Sequence, residues 1–275
     1  ETILGGRFLM NAGGKGANQA VAAARLGGMV TFVGKIGDDI FGKQAVQQLE
    51  DEGINVDFVA VDPENPSGVA LITVDKKGEN SIVVAPGSNG TLSPADFDKA
   101  MAELEDSEFV LMQLEIPIPT VEHIASLAAK KMKKVVLNPA PAAILSDELL
   151  QNLYIITPNE TEAELLTGIK VTDIQSALKA ALILNGKGVE LVIITMGSAG
   201  AFLLKDGKSE IIAAPKVAAV DTTAAGDTFN GALVVALSEG KSIQESIAFA
   251  NKAASISVTR IGAQSSVPFR KEISN

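Results

Sequence analysis

At 275 residues the chain is long enough for one large α/β domain or two small ones, and although 47% of it is hydrophobic, no run reaches the roughly 18 apolar residues of a membrane span. A net charge of -10 argues against nucleic acid as a partner, and the lack of cysteine removes disulfides, thiolate metal sites and cysteine nucleophiles. With the single histidine His123, Ser-His-Asp and multi-histidine zinc chemistry are both out of reach, and the expectation is a soluble cytoplasmic protein with neither nucleic acid nor membrane as partner.

The chain opens at Glu1 without methionine, and Glu1 to Met10 has no helical period, so it reads as the tail of something already begun. A glycine cluster follows, Asn11-Ala12-Gly13-Gly14-Lys15-Gly16-Ala17-Asn18-Gln19, feeding a helical run from Ala17 to Leu26. Such glycines let backbone approach a ligand closely, with Asn18 placed to hydrogen-bond hydroxyls; a tight turn into a helix would use the same residues. A strand over Val30 to Val33, a helix over Asp39 to Asp51 and a strand over Val56 to Val61 come next. From Ser67 to Val84 the pattern is a β-hairpin with apolar residues on both faces, which predicts a lid over a cleft, a subunit contact, or both.

Helix and strand then alternate. Helix Pro94 to Leu104 precedes strand Phe109 to Leu114, helix Thr120 to Met132 precedes strand Val135 to Leu137, and helix Ser146 to Leu153 precedes strand Tyr154 to Ile156. Helices Glu160 to Leu166 and Asp173 to Asn185 lead to strand Leu191 to Thr195. This is the pattern of a parallel sheet flanked by helices, in which ligands collect at the carboxyl ends of the strands. Glu115, Asn138, Asn159 and Gly197 lie just past such ends. Glu115 is either a ligand or a solvated carboxylate. Asn159 and Glu162 fit a capping box, and fit equally the ordering of water around magnesium. His123 falls in an amphipathic helix and reads as a surface residue.

Thr195-Met196-Gly197-Ser198-Ala199-Gly200 ends a strand with two glycines, suited to a nucleotide or to a plain turn, and a hairpin over Ala201 to Leu204 and Ile211 to Ala214 follows. After a further short β-like run comes Val220-Asp221-Thr222-Thr223-Ala224-Ala225-Gly226-Asp227-Thr228-Phe229-Asn230-Gly231, which opens an Ala-rich helix. Small residues at a helix N-terminus leave backbone N–H groups uncovered for an anion. A carboxylate beside that anion, Asp227, makes sense where a substrate hydroxyl lies between them to be deprotonated; otherwise Asp227 caps the helix. Helix Ile243 to Val258 runs into Thr259 to Pro268, a small-residue loop whose carbonyls could wrap a cation together with Asp221. Gly207-Lys208-Ser209 and Gly240-Lys241-Ser242 are not P-loops, because Phe202 and Val235 stand where the first glycine is required.

Taken together, Gly13 to Gln19, Asn159 to Glu162 and Asp221 to Gly231 resemble the signatures of the ribokinase-like sugar kinases, in order and at fitting spacing across essentially the whole chain. The resemblance implies a three-layer α/β sandwich with a mostly parallel central sheet over residues 13–65 and 88–275, and a β lid over 1–12 and 66–87 that also forms a homodimer contact. It implies ATP-dependent phosphorylation of D-ribose at O5, with magnesium (Mg2+) and potassium (K+). Fructokinase, adenosine kinase or another sugar kinase is the alternative within the family; a fragment that keeps the fold as a binding or interaction module is the alternative outside it. By resemblance Asp227 is the base, and the amides of Ala224, Ala225 and Gly226 form the anion hole. Gly14, Lys15, Gly16, Ala17, Asn18, Glu115 and Asp227 bind the sugar. Asn159, Thr195, Met196, Gly197, Ser198, Ala199, Gly200, Gly226, Asp227 and Asn251 contact ATP, and Glu162 organises Mg2+ indirectly. Asp221, Thr223, Ser257, Arg260, Gly262 and Ser266 ring K+, largely through carbonyls. The family's opening strand and its Asp-bearing turn would precede Glu1, and the helix after Pro268 is cut short at Asn275.

Overall fold

A computed structural model of the chain describes residues 11–74 and 80–273. In chain order the elements are α1 (Lys15–Arg25), β1 (Thr31–Gly37), α2 (Ile40–Asp51), β2 (Asn55–Asp62), β3 (Val69–Val74), β4 (Asn80–Ala85), α3 (Pro94–Asp98) and α4 (Met101–Asp106). They continue with β5 (Phe109–Met112), α5 (Ile118–Lys130), β6 (Lys134–Leu137), α6 (Asp147–Gln151), β7 (Ile155–Ile156), α7 (Glu160–Thr167) and α8 (Ile174–Gly186). The last are β8 (Leu191–Thr195), β9 (Ala201–Lys205), β10 (Lys208–Ile212), α9 (Ala225–Ser238), α10 (Ile243–Ser257) and α11 (Arg270–Ile273).

The central sheet has the order β10-β9-β8-β7-β6-β5. β5 to β8 run parallel, and β9 and β10 add an antiparallel edge. Its middle strands read as continuous apolar runs because both faces are covered. Val135, Leu137, Val192 and Ile194 point to a layer built from α5, α6, α7 and α8, whereas Val136, Leu191 and Ile193 point to α1, α9 and α10. The expected α/β class and the mostly parallel sheet are therefore what the chain adopts. β1 and β2 pair in parallel as a separate two-stranded sheet, and β3 and β4 form the antiparallel hairpin anticipated over 67–84. Leu71, Val83 and Val84 on that hairpin are exposed. Of the other part of the expected lid, 1–12, residues 1–10 lie outside the described residues, as does the hairpin turn 75–79.

Three local expectations are corrected. The helix expected over 94–104 is two short helices, because Ala100 N–H turns back to Phe97 O at 2.8 Å and lets Phe97 and Leu104 both reach the core. The hairpin after β8 closes over Asp206 and Gly207, at φ 50 and 71, the left-handed pair that a tight two-residue turn requires. The β-like run before Val220 is no strand; Val217 and Val220 are exposed, and Val220 N–H bonds instead to Val258 O at 2.7 Å. His123 is an exposed helix residue, as expected, with Nε2 2.9 Å from Asp98 Oδ1.

Candidate active site

The site is built where α9 crosses α1. Gly231 makes the crossing possible, since a Cβ there would stand 2.6 Å from Gln19 O and 2.7 Å from the Ala22 Cβ. The close approach brings Asn18 and Gln19 onto Asp227, in the first turn of α9. Asn18 Nδ2 donates to Asp227 Oδ2 at 2.9 Å, and Gln19 Nε2 donates to Asp227 Oδ1 at 2.9 Å. Asp227 is not the cap: Ala224 occupies that position, at φ 58 and without a side-chain cap. Burial pushes the Asp227 carboxyl above its ordinary range, against the opposing pull of Asn18, Lys15 and Gln19. Asn18 Oδ1, on the same amide, is buried with no partner.

In front of α9 there is space. A Cβ on Gly226 would meet nothing within 4 Å. Of the three amides expected to hold an anion, that of Ala225 reaches Thr222 O at 3.2 Å. Beside this space, Gly14 takes φ 87 before α1, and Lys15 N–H donates to Glu115 Oε2 at 2.7 Å, tying the glycine loop to the segment after β5. Burial pushes the Glu115 carboxyl up, and Lys15 and the negative charge of Asp227 both act on it. Gly16 lies against Gln113, whose Oε1 would be 3.0 Å from a Cβ at that position.

At the start of α7, Asn159 and Glu162 form a reciprocal capping box: Asn159 Oδ1 accepts from Glu162 N–H at 2.8 Å, and Glu162 Oε2 accepts from Asn159 N–H at 2.9 Å. Glu162 is buried, which raises its carboxyl, and Lys15 and Asp227 also act on it electrostatically. Asn159 and Thr195 face each other as a parallel bridge, so these two candidates share one strand end. Gly197 to Ala199 make a single turn, with open space around Gly197. Gly200 and Asn251 meet elsewhere, at Ile212 O: a Cβ on Gly200 would be 2.2 Å from it, and Asn251 Nδ2 donates to it at 2.8 Å.

Asp221 joins two loops. Its Oδ1 accepts from Thr223 N–H and its Oδ2 from Gly262 N–H, each at 2.9 Å. Burial raises its carboxyl, but the Gly262 and Thr223 donors outweigh that and leave it below the ordinary range. The buried hydroxyls of Ser257 and Ser266 donate to Ala254 O and Ala263 O at 2.9 and 2.8 Å, while Arg260 Nη2 pairs with Glu272 Oε1 at 2.5 Å. Side chains in this cluster are committed, so carbonyls are what it can offer a cation.

Beneath Asp227 lies a chain of neutral groups that the motifs do not announce. Gln19 Nε2 also donates to Asn138 Oδ1 at 3.1 Å, Gln113 Nε2 donates to Gln19 Oε1 at 2.5 Å, and Asn138 Nδ2 donates to Thr157 O at 3.3 Å. Thr157 Oγ1 donates to Asn230 Oδ1 at 2.6 Å, and Asn230 Nδ2 to Gly226 O at 2.8 Å, which fixes the first turn of α9. Asn138 is recognisable in the sequence from its place at a strand end, and Gln19 and Asn230 fall inside the motifs without a role of their own; Gln113 and Thr157 stand outside them.

The pattern of the pfkB family carbohydrate kinases matches residues 1–270. The chain belongs to that family. As a pfkB family member it is an ATP-dependent sugar kinase. It is 53% identical over 272 residues to the ribokinase of Haemophilus influenzae, covering 99% of this chain and 89% of that protein. It is 39% identical to the deoxyribokinase of Salmonella typhi, covering 98% of this chain and 88% of that protein. Among solved structures, Arabidopsis thaliana ribokinase complexed with ribose and ATP matches with a TM-score of 0.93 at 35% identity, covering 99% of this chain and 89% of that one.

Proposed function

We propose that this pfkB family kinase phosphorylates D-ribose at O5 with ATP, giving ribose 5-phosphate and ADP. The observation that carries the mechanism is Asp227, a buried carboxylate held by two neutral amides beside the unpartnered Asn18 Oδ1 and the open face of Gly226. Its raised pKa suits a base better than a permanent anion. Asp227 takes the proton of the sugar O5–H as O5 attacks the γ-phosphorus; the bond to the β,γ-bridging oxygen breaks and its electron pair leaves with ADP. The amides of Ala224, Ala225 and Gly226 offset charge on the group in transfer, that of Ala225 giving up its bond to Thr222 O to do so. Gly14, Lys15, Gly16, Ala17, Asn18 and Glu115 bind the sugar, with Asn18 Oδ1 accepting from one of its hydroxyls. Lys15, which acts electrostatically on Asp227, Glu115 and Glu162, supplies local positive charge that the chain as a whole lacks.

Asn159, Thr195 to Gly200 and Asn251 take the nucleotide. A buried carboxylate in the first turn of α7 fits the indirect holding of Mg2+ through water, and Glu162 has that role. Bound Mg2+ would neutralise charge on the phosphates. The Asp221, Thr223 and Gly262 cluster, with the carbonyls near Ser257, Arg260 and Ser266, fits K+, which would fix the loop leading into α9. The β3–β4 hairpin, with 66–87 treated as a unit apart from 13–65 and 88–275, serves as lid and homodimer contact; its exposed Leu71, Val83 and Val84 support this. Use of ATP supports a cytoplasmic setting.

An ADP-coupled assay with ribose, 2-deoxyribose, fructose and adenosine, in Mg2+ and K+, tests the reading. Ribose is expected to give the highest kcat/KM. The 39% identity to a deoxyribokinase favours 2-deoxyribose as the second substrate, and a preference for it would replace ribose. Sugar binding without turnover would sink the kinase proposal in favour of a binding module.

A further inference from the structure

The chain of amides under Asp227 has a direction that its chemistry dictates. A carboxamide has one accepting oxygen and one donating NH2 group. Thr157 O, a backbone carbonyl, can only accept, so Asn138 must turn its Nδ2 to it and its Oδ1 to Gln19. Gln19 must then present Nε2 to Asn138, and that same NH2 group faces Asp227 Oδ1 at 2.9 Å. Gln113 holds the other end by donating to Gln19 Oε1, and the lack of a Cβ at Gly16 leaves Gln113 its room. The donor aimed at Asp227 is therefore in place whether or not Asp227 carries a proton, so it favours the ionised form.

We propose that Gln113, Gln19 and Asn138 form a one-way amide relay in which Gln19 is the positioning residue that keeps Asp227 ionised and aimed at the sugar. The inference rests on Asp227 being the base. The charged groups acting on Asp227 are Lys15 from α1, Glu115 beyond β5 and Glu162 from α7. None of them is part of the relay, so it can be altered without changing local charge. Without the Gln19 donor, Asp227 keeps its burial and only the Asn18 amide, and its carboxyl holds a proton to higher pH.

The test is the pH dependence of kcat/KM for ribose in the wild type, Gln19→Leu and Gln113→Met, each checked for folding by its thermal melt. The acid limb is expected to move up by about one pH unit in Gln19→Leu, the effect of one lost hydrogen bond to a charged group. In Gln113→Met it moves the same way by less, because Gln19 loses the donor that holds its Oε1 and its Nε2 is then positioned by Asn138 alone. Above the limb, activity recovers to within about threefold and KM for ATP stays within about twofold, which a merely structural role would not produce. A folded Gln19→Leu with lower activity and an unmoved limb overturns the relay, as does a shift in Gln19→Leu with none in Gln113→Met. Should Gln19→Leu not fold, Gln113→Met decides alone, and an unmoved limb overturns the proposal. Asp227→Asn with wild-type turnover would sink the base assignment itself; an unmoved limb beside an inactive Asp227→Asn sinks only the relay.

Discussion

Asp227 and Asp221 sit on either side of the entry to α9 and carry the same functional group, yet the fold treats them in opposite ways. Asp227 is deeply buried and takes its hydrogen bonds from side-chain amides, Asn18 and Gln19, so burial wins and its carboxyl is raised. Asp221 is nearer the surface and takes backbone N–H donors from Thr223 and Gly262, so the donors win and its carboxyl is lowered. A carboxylate lowered in this way is a fixed anion, suited to clipping loops together. One raised by burial, against the pull of neutral donors, can still accept a proton in the course of a reaction.

The comparison breaks most severely at Asp227 itself. Asp227→Asn is expected to lower kcat by about 10² to 10⁴ with little change in KM for ATP, since it removes the base and leaves the anion site. Steady-state kinetics with ribose and ATP measure it, and unchanged kcat would return Asp227 to a structural role. Gly226→Val keeps the carboxylate and its partners but fills the space before them. Because nothing lies within 4 Å of a Cβ at Gly226, the fold should hold while kcat/KM falls by about 10², on the order of 3 kcal/mol of transition-state stabilisation. A variant as active as the wild type would mean that phosphate does not approach that turn.

At Asp221 smaller effects are expected. K+ should raise activity more than Na+, by severalfold, because the larger ion suits a ring of carbonyls. Equal rates in K+, Na+ and a bulky organic cation would remove the cation from the comparison. Asp221→Asn should lower Tm by a few degrees near neutral pH, as one loop clip is weakened. The sign with pH follows from the lowered carboxyl: the contribution is present above the ordinary value of 3.8 and is lost as pH falls through the lower folded value. Melts of the two proteins should therefore converge in acid; a Tm gap constant from neutral to strongly acid pH would show that the charge of Asp221 is not what holds the loops.

The architecture was legible because apolar spacing differs between helix and covered strand, and β8 was read to the residue over Leu191 to Thr195. The glycine loop, Asp227 and the capping box were legible because turn and cap chemistry is local. The broken helix over 94–104 was hidden by Lys99 and Ala100, two good helix formers, since the break comes from burying Phe97 and Leu104 together. The tight turn at Asp206-Gly207 did carry its own signal, the Asp-Gly pair. The connections of the relay left none: Gln19 and Gln113 are neutral residues 94 positions apart, and Asn18 is 209 from Asp227, so only the folded chain brings them together.

The clearance at Gly231 has a consequence for motion. With α1 and α9 in close contact at Gly231, neither helix can slide without driving atoms into the other, so the Gly14 to Gln19 segment and Asp227 travel as one body. The β3–β4 hairpin, with its exposed apolar residues, lies outside this crossing and is not held by it. In hydrogen–deuterium exchange the amides of α1 and α9 should therefore be among the slowest in the molecule.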